Sequence, residues 1–130
     1  MTSPLDELIL YRMNRAYETF KEAETMSANN HFHGAANRMY YACFYAVNAL
    51  LLREGLSATK HSGVRSLFNR HYIKTGIISA DAGVVYNTLF DIRQTSDYED
   101  LYIIDSEKIK SLMPRVKAFL QEVERQFASQ

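Results

Sequence analysis

The sequence is poor in residues that make tight turns and cross-links. It has five glycines and two prolines among 130 residues, of which 47% are hydrophobic. A many-stranded sandwich or a Gly-rich nucleotide-binding loop needs more turn residues than these. The single cysteine, Cys43, lies in an apolar run and excludes an intrachain disulfide. These absences predict an all-helical chain, with Cys43 as a packing residue, in the reducing cytoplasm.

An excess of one charge and long apolar runs are also missing. Fifteen Lys and Arg residues balance fifteen Asp and Glu residues, so the general basicity of a nucleic-acid-coating protein is absent. We therefore expect no sequence-specific DNA binding. No run of about 18 apolar residues occurs, and the first residues carry no basic segment of a signal peptide. The chain is accordingly expected neither to cross a membrane nor to be secreted.

The motifs of common enzyme and metal sites are absent as well. The chain has no P-loop, no G-x-G-x-x-G, no H-E-x-x-H and no G-x-S-x-G. His31 and His33 lack accompanying Cys, Asp or Glu residues at metal-ligand spacing. We expect no metal ion and no cofactor.

The apolar residues that are present recur at steps of three and four, which is typical of amphipathic helices. We predict one domain over residues 1–130, a compact antiparallel up-and-down bundle of about five helices. The helices are predicted from Leu5 to the Asn29–Asn30 pair, from Gly34 to Glu54, from Ser62 to Ile73, from Ser79 to an irregular stretch beginning near Thr95, and from about Asp105 across a kink at Pro114 to Phe127. Ser3 and Ser79 are placed as N-caps.

The second predicted helix combines an apolar body with one polar seam. Residues 39–52 are apolar on nearly every side, which predicts the most buried element and a buried Phe44. Polar residues at spacings of +3, +7 and +10 lie in one stripe of this helix: Arg38, Tyr41, Tyr45 and Asn48. They form either an internal hydrogen-bond network or the wall of a polar cleft.

Charge is unevenly distributed along the neutral chain. Between Leu51 and Thr75 one anion, Glu54, stands against five cations: Arg53, Lys60, Arg65, Arg70 and Lys74. Between Asp91 and Glu107 six anions stand against one cation, Arg93. Either both are solvated faces that attract each other within the fold or across a dimer, or the basic helix binds a phosphate or an acidic partner.

Arg93 is singled out by its place before the acidic stretch. A guanidinium there can bind a phosphate through its planar fork or stabilise developing charge on phosphorus. Asp97, four residues later, offers the alternative of an ion pair that locks the helix end.

Three segments occur in this order along the chain: Arg38–Phe44 (RMYYACF), Lys60–Val64 (KHSGV) and Arg93–Tyr98 (RQTSDY). Together they resemble the HEPN domains, in particular the small single-domain branch known as an uncharacterised protein family. The resemblance covers about residues 5–125. It implies a helical bundle that commonly forms homodimers and is often encoded beside a minimal nucleotidyltransferase. Many members act in toxin–antitoxin pairs as metal-independent endoribonucleases.

The sequence departs from the ribonuclease motif of these domains. Ribonuclease members carry an Arg followed after four to six residues by a His. Arg93 matches the arginine, but positions 98 to 100 are Tyr98, Glu99 and Asp100. Because an unperturbed tyrosine has a pKa of about 10, it is a poor base at pH 7, and His61 is the candidate replacement.

The resemblance thus implies first a binding module that acts with a nucleotidyltransferase partner in a toxin–antitoxin or nucleotide-linked stress or defence system. The alternative is a metal-independent endoribonuclease with a degenerate Arg-x4-Tyr motif and Arg93 as catalytic residue. The residues predicted to bind RNA or a nucleotide are Arg38, Tyr41, Lys60, His61, Arg93, Asp97 and Tyr98. Tyr98 and Tyr102 are predicted sites of modification. We also expect a homodimer whose interface includes the second half of the fourth helix and the segment Arg93–Tyr98. The resemblance implies it, and four aromatic residues lie in this short span: Tyr86, Phe90, Tyr98 and Tyr102.

Overall fold

Helices account for nearly all of the computed structural model, which describes residues 3–98 and 103–128. The elements are α1 (Pro4–Ala28), α2 (Phe32–Arg53), α3 (His61–Phe68), α4 (Ala80–Tyr98) and α5 (Ser106–Ala128). A π-helical segment, Asn69–Ile73, continues α3 without a break. No strand occurs in the described ranges. The prediction of an all-α helical bundle is confirmed.

Helix ends follow the predicted capping residues. The Ser3 hydroxyl accepts the Asp6 N–H at 3.1 Å, and the Asp6 carboxylate accepts the Ser3 N–H at 3.2 Å. This reciprocal pair satisfies backbone donors that have no partner inside α1. At the other end Asn30 has a φ of 62°, a left-handed conformation that asparagine tolerates. At α4 the Ser79 hydroxyl accepts the Ala82 N–H at 3.2 Å, so both predicted N-caps are confirmed.

Helix α2 is the centre of the bundle and packs against α1, α3, α4 and α5. It begins at Phe32, two residues before the predicted start at Gly34. Its inward side chains are fully buried, among them Met39, Tyr40, Ala42, Cys43, Ala46, Val47, Ala49 and Leu50. Burial also raises the pKa of the Cys43 thiol. The prediction of a central, most buried helix and of a packing role for Cys43 is confirmed.

Two expectations about aromatic burial were wrong. Phe44 is only half-buried, because its side chain lies at the edge of the core. Its ring stacks there on His61 at a centroid distance of 4.5 Å. Tyr86 and Phe90, expected at a dimer interface, are 0% and 3% exposed in the core of this chain. They share the inward face of α4 with Val85 and Leu89, so they offer no area to a second copy.

The fourth helix is longer than predicted. Residues 95–98 continue α4 through Tyr98, whereas the sequence predicted an irregular stretch from Thr95. The His33 ring nitrogen Nδ1 and the Ser96 hydroxyl lie 3.3 Å apart, which ties this last turn to α2. Polar residues on the outer side of a helix do not end it when its inner side stays packed. Residues 99–102 lie outside the described part.

Helix α5 runs from Ser106 to Ala128 across Pro114. The predicted continuity of the apolar stripe is confirmed, since Ile109, Leu112, Val116, Phe119, Leu120 and Val123 are all buried. Within the described residues no helix combines the length and the apolar character that a membrane crossing requires.

Leu50→Ala is expected to destabilise the protein strongly, because this leucine of α2 is 0% exposed. Such truncations cost about 2–5 kcal/mol in the free energy of unfolding. Leu10→Ala on α1 removes the same atoms from a side chain that is 60% exposed and should change stability by less than about 0.5 kcal/mol. Urea unfolding measures both variants. Equal losses would contradict the central position of α2.

Candidate anion-binding site

A cavity of about 400 Å³ lies where the start of α3 meets the second half of α4. We call it the Arg93 cavity. Its lining residues are Thr59, Lys60, His61, Ser62, Phe90, Arg93 and Gln94. The fold therefore brings together three of the residues predicted to bind a ligand: Lys60, His61 and Arg93. Two basic side chains and an imidazole that share one cavity are suited to an anion.

Arg93 rests on the aromatic rings of α2. Its guanidinium carbon lies 5.2 Å from the centroid of the Tyr40 ring and 5.6 Å from that of the Tyr41 ring. Cations are attracted to the faces of such rings, so the two tyrosines fix the guanidinium at the cavity wall. Tyr41, another predicted site residue, thus contributes by holding Arg93.

His61 is held by a hydrogen bond and a stacked ring. The Tyr40 hydroxyl and the His61 ring nitrogen Nδ1 lie 2.7 Å apart. On the other side, the imidazole stacks on Phe44 with an interplanar angle of 22°. Because Nδ1 is used by this bond, the imidazole has a fixed orientation at the start of α3.

The charge of Arg93 is not neutralised by the tyrosine beneath it. Burial raises the pKa of Tyr40 to about 12, and the nearby Arg93 guanidinium offsets only part of that rise. The phenol is therefore neutral at physiological pH. It shares a hydrogen bond with His61 and carries no negative charge that would pair with Arg93.

Arg38 does not line the Arg93 cavity. Its guanidinium donates to the Asn37 amide oxygen at 2.8 Å and 3.2 Å and to a Glu22 carboxylate oxygen at 3.4 Å. It also lies over the outer ring Tyr41, at 5.4 Å from the centroid. These contacts place Arg38 beside the site rather than in it.

The rest of the predicted polar seam is likewise engaged by neighbouring groups. The Asn48 amide donates to the Phe44 carbonyl at 2.8 Å, and the Arg15 guanidinium lies 5.4 Å from the centre of the Tyr45 ring. These contacts favour an internal network over the wall of a cleft for this part of α2.

The predicted basic and acidic faces touch within the fold. The Arg65 guanidinium and the Asp91 carboxylate lie 3.6 Å apart, and the same guanidinium stacks on Phe90 at 3.9 Å from the ring centroid. Part of the attraction between the two faces is therefore satisfied inside one chain. The side chains of Asp97 and Tyr98, and the whole of Tyr102, lie outside the described part of the chain.

Several residues of the site were missed by sequence reasoning. Tyr40 holds both His61 and Arg93 in place. The sequence could have indicated this, because a hydroxyl inside an apolar helix is a buried polar group that needs a hydrogen-bond partner. Phe90 was assigned to an interface. No sequence pattern indicated that Thr59, Ser62 or Gln94 belongs to the site. In the described ranges, no group of three or more His, Cys, Asp or Glu side chains is arranged to hold a metal ion.

The sequence is similar to those of known proteins. The family model for the HEPN domain matches residues 9–126. The chain is 41% identical over 120 residues to a UPF0332 protein of Thermotoga maritima, which covers 92% of this chain and 91% of that protein. It is 29% and 27% identical to two Methanocaldococcus jannaschii proteins, each named a putative toxin. These two matches cover 90% and 83% of this chain, and 80% and 85% of the respective relatives.

Tyr40 is expected to make the fold sensitive to alkali. A tyrosine of the unfolded chain titrates near pH 10, whereas burial raises the pKa of Tyr40 to about 12 in the folded protein. The stability that comes from its protonated form is therefore present below about pH 10 and is lost as the pH rises towards about 12. Tyr40→Phe should lose less stability than the parent protein between about pH 8 and pH 11.

Urea unfolding at the two pH values measures this difference. Tyr11→Phe, at a tyrosine that is 60% exposed, is the control and should behave as the parent protein does. An equal alkaline loss in the parent and in Tyr40→Phe would show that the phenol of Tyr40 titrates normally.

Proposed function

Because the chain belongs to the HEPN domain family, we propose that it is a toxin-like binding module that holds a phosphate-bearing ligand in the Arg93 cavity. In this proposal the module acts with a nucleotidyltransferase-domain partner in a toxin–antitoxin or nucleotide-linked stress or defence system. The ligand is an RNA or a nucleotide.

One observation carries the proposal, namely the convergence of Lys60, His61 and Arg93 on a cavity of about 400 Å³. Ligand pockets for small molecules are commonly about 300–1,000 Å³, so the volume suits a nucleotide-sized ligand. The guanidinium of Arg93 provides a planar pair of donors for phosphate oxygens, and Lys60 adds a point charge.

The biological setting of the proposal is supported by the relatives. Two of them bear the name putative toxin, and the HEPN resemblance implies that such a toxin is paired with an antitoxin. The nucleotidyltransferase partner and the homodimer come from the HEPN resemblance. Modification of Tyr98 or Tyr102 by that partner belongs to the same proposal.

A metal-independent endoribonuclease is the second candidate function. It is favoured by the position of His61, which shares the Arg93 cavity and can replace the histidine that the motif lacks. In such a reaction the ribose 2′-hydroxyl oxygen attacks phosphorus and gives its proton to Nε2 of the imidazole, whose Nδ1–H donates to the Tyr40 hydroxyl, while Arg93 stabilises the charge on the phosphate. The bond between phosphorus and the 5′-oxygen breaks as that oxygen takes a proton from water, and the imidazolium returns its proton to the hydroxide that remains. The products are a 2′,3′-cyclic phosphate and a 5′-hydroxyl end.

Arg93→Lys is expected to keep the fold and to weaken phosphate binding by at least about tenfold, because an ammonium lacks the planar pair of donors. The probes are inorganic phosphate and a nucleoside monophosphate, titrated by NMR. Arg115→Lys is the control, since Arg115 binds the Asp81 carboxylate at 2.6 Å and does not line the cavity.

Unchanged binding by Arg93→Lys would overturn the phosphate site. In that case Arg93 would be a structural clamp on Asp97. Arg93→Ala and Asp97→Asn would then each lower stability, and the double variant would lose less than the sum of the two.

For the second candidate, purified protein is incubated with single-stranded RNA in EDTA. Active protein should yield fragments with 2′,3′-cyclic phosphate ends, and both Arg93→Ala and His61→Asn should reduce the rate by at least about a hundredfold. An asparagine keeps an amide near the position of Nδ1, which limits the disturbance of Tyr40. His31→Ala, at an exposed histidine, is the control. Cleavage that persists in His61→Asn would exclude His61 as the base.

A further inference from the structure

An open cavity of about 540 Å³ runs along the basic side of α3 and includes the π-helical segment. We call it the α3 groove. Residues of α4 and of the chain from α3 to the turn after the π-helical segment line it, among them Asn87, Arg65, Asn69, Arg70, Ile73 and Lys74. The groove contains three of the five cations of the basic sequence stretch and no carboxylate among its described lining residues.

The uncompensated charge of the α3 groove lies at the end where the π-helical segment finishes. Within residues 3–98 and 103–128, the exposed side chains of Arg70 and Lys74 enter no ion pair. At the other end the Arg65 guanidinium lies 3.6 Å from the Asp91 carboxylate. The carboxylates of a ligand are therefore attracted most strongly to Arg70 and Lys74.

Aliphatic side chains border the same end of the groove. Ile73 lines the groove and packs against Gly83 of α4, where an added Cβ would lie 2.9 Å from the Ile73 side chain. The next residue, Val84, is 52% exposed and lies one helical turn before Asn87, which also lines the groove. Exposed apolar groups beside unpaired cations suit a ligand that carries both carboxylates and aliphatic side chains.

The floor of the α3 groove adds a hydrogen-bond acceptor. The Asn69 amide nitrogen donates to the Asn87 amide oxygen at 3.3 Å. The Asn69 amide oxygen is itself buried and has no hydrogen-bond partner among the described residues. Each peptide unit other than that of proline carries an N–H donor. A peptide laid along the groove can therefore satisfy this acceptor after a small rotation of the amide.

The π-helical segment shapes this surface. The Lys74 N–H donates to the Asn69 carbonyl at 2.8 Å, a bond that spans five residues instead of four. The wider turn carries Asn69, Arg70 and Ile73 on the groove side of the chain. Such segments are rare in helices and are frequent at functional sites.

Two features favour a protein segment over a nucleic acid strand in the α3 groove. None of its described lining residues is aromatic, whereas single strands are commonly bound by stacking of bases on aromatic side chains. The Asp91 carboxylate, 70% exposed, lies between Arg65 of the groove and Phe90 of the Arg93 cavity in contact or in sequence. Its charge repels a row of phosphates that would continue from one site into the other.

We propose that the α3 groove docks a short acidic segment of a partner protein. Carboxylates of the segment bind Arg70 and Lys74, and an aliphatic side chain between them packs on Ile73 and Val84. A backbone N–H of the segment donates to the Asn69 amide oxygen. This inference goes beyond the proposed function, because the groove and the Arg93 cavity share no lining residue.

Binding of a fluorescent peptide of alternating glutamate and leucine to the full chain is measured by anisotropy. Eight residues are enough, because the chain from Arg65 to Lys74 spans about 14 Å and an extended peptide about 3.3 Å per residue. The groove variant Arg70→Ala/Lys74→Ala should bind at least about tenfold more weakly. The matched control Lys21→Ala/Lys117→Ala removes two exposed cations elsewhere and should change affinity less than about twofold.

Val84→Ser tests the apolar contact separately from the charge. It should weaken binding of the peptide by at least about threefold, because it removes the aliphatic surface beside Ile73. Leu10→Ser, at an exposed leucine of α1, is the control and should bind as the parent protein does. A peptide of alternating glutamate and serine should bind the parent more weakly. Equal affinity for the two peptides would show that charge alone is recognised and would overturn the inference.

Further arms separate this inference from the proposed function. Arg93→Lys should bind the peptide as the parent protein does, and the groove variant should bind a nucleoside monophosphate as the parent does. A peptide that fails to bind while the monophosphate binds in the Arg93 cavity would overturn this inference and leave the proposed function standing. Peptide binding that depends on the groove, without monophosphate binding, would support the groove and overturn the phosphate site.

Two outcomes would assign the α3 groove to another occupant. A single-stranded RNA of about a dozen nucleotides should bind the groove variant and the control variant with affinities within about twofold. A loss as large as that of the peptide would assign the groove to nucleic acid and overturn the inference. Light scattering should give the parent and the groove variant the same mass. A larger mass for the parent would assign the groove to a second copy of this chain and would also overturn it.

Discussion

The buried side chain of Tyr40 joins α2 to the two helices that line the Arg93 cavity, α3 and α4. Its ring lies 5.9 Å from that of Tyr86 and 6.2 Å from that of Phe90, both on α4, while its hydroxyl meets His61 at the start of α3. A phenol in the core needs a partner for its hydroxyl, and His61 provides it. The hydrogen bond that completes the core therefore also sets where α3 begins. The position of the cavity depends on core packing rather than on surface loops.

Most of the helical framework could be predicted because helix ends and inward faces are local properties. Ser3 and Ser79 precede their helices with a hydroxyl that can accept a backbone N–H, and Val85, Leu89 and Ile92 follow the helical period. The end of α4 could not be predicted in this way. Its last turn is held by a contact between Ser96 and His33, and no local pattern reveals a bond to another helix.

Several residues of the candidate site could be predicted from the sequence, but their positions relative to one another could not. Arg93 was singled out by its place before the acidic stretch, and Lys60 and His61 by a segment that resembles HEPN domains. The fold places all three on one cavity. Arg38 carries the same signal in sequence, yet Asn37 and Glu22 bind it outside the cavity. Tyr86 and Phe90 show the reverse difficulty, since an aromatic in an amphipathic helix suits a core and an interface equally well until its neighbours are known.

The burial of the one thiol has a practical consequence for following the dynamics of this protein. Cys43 lies at the middle of α2, is 0% exposed, and has a pKa that burial raises. A thiol-specific reagent needs an accessible thiolate, so it can react only after α2 separates from its neighbours. With no second cysteine in the sequence to blur the signal, the rate of alkylation in native buffer reports how often the whole bundle opens. Cys43 is thus a built-in probe for the opening of the core.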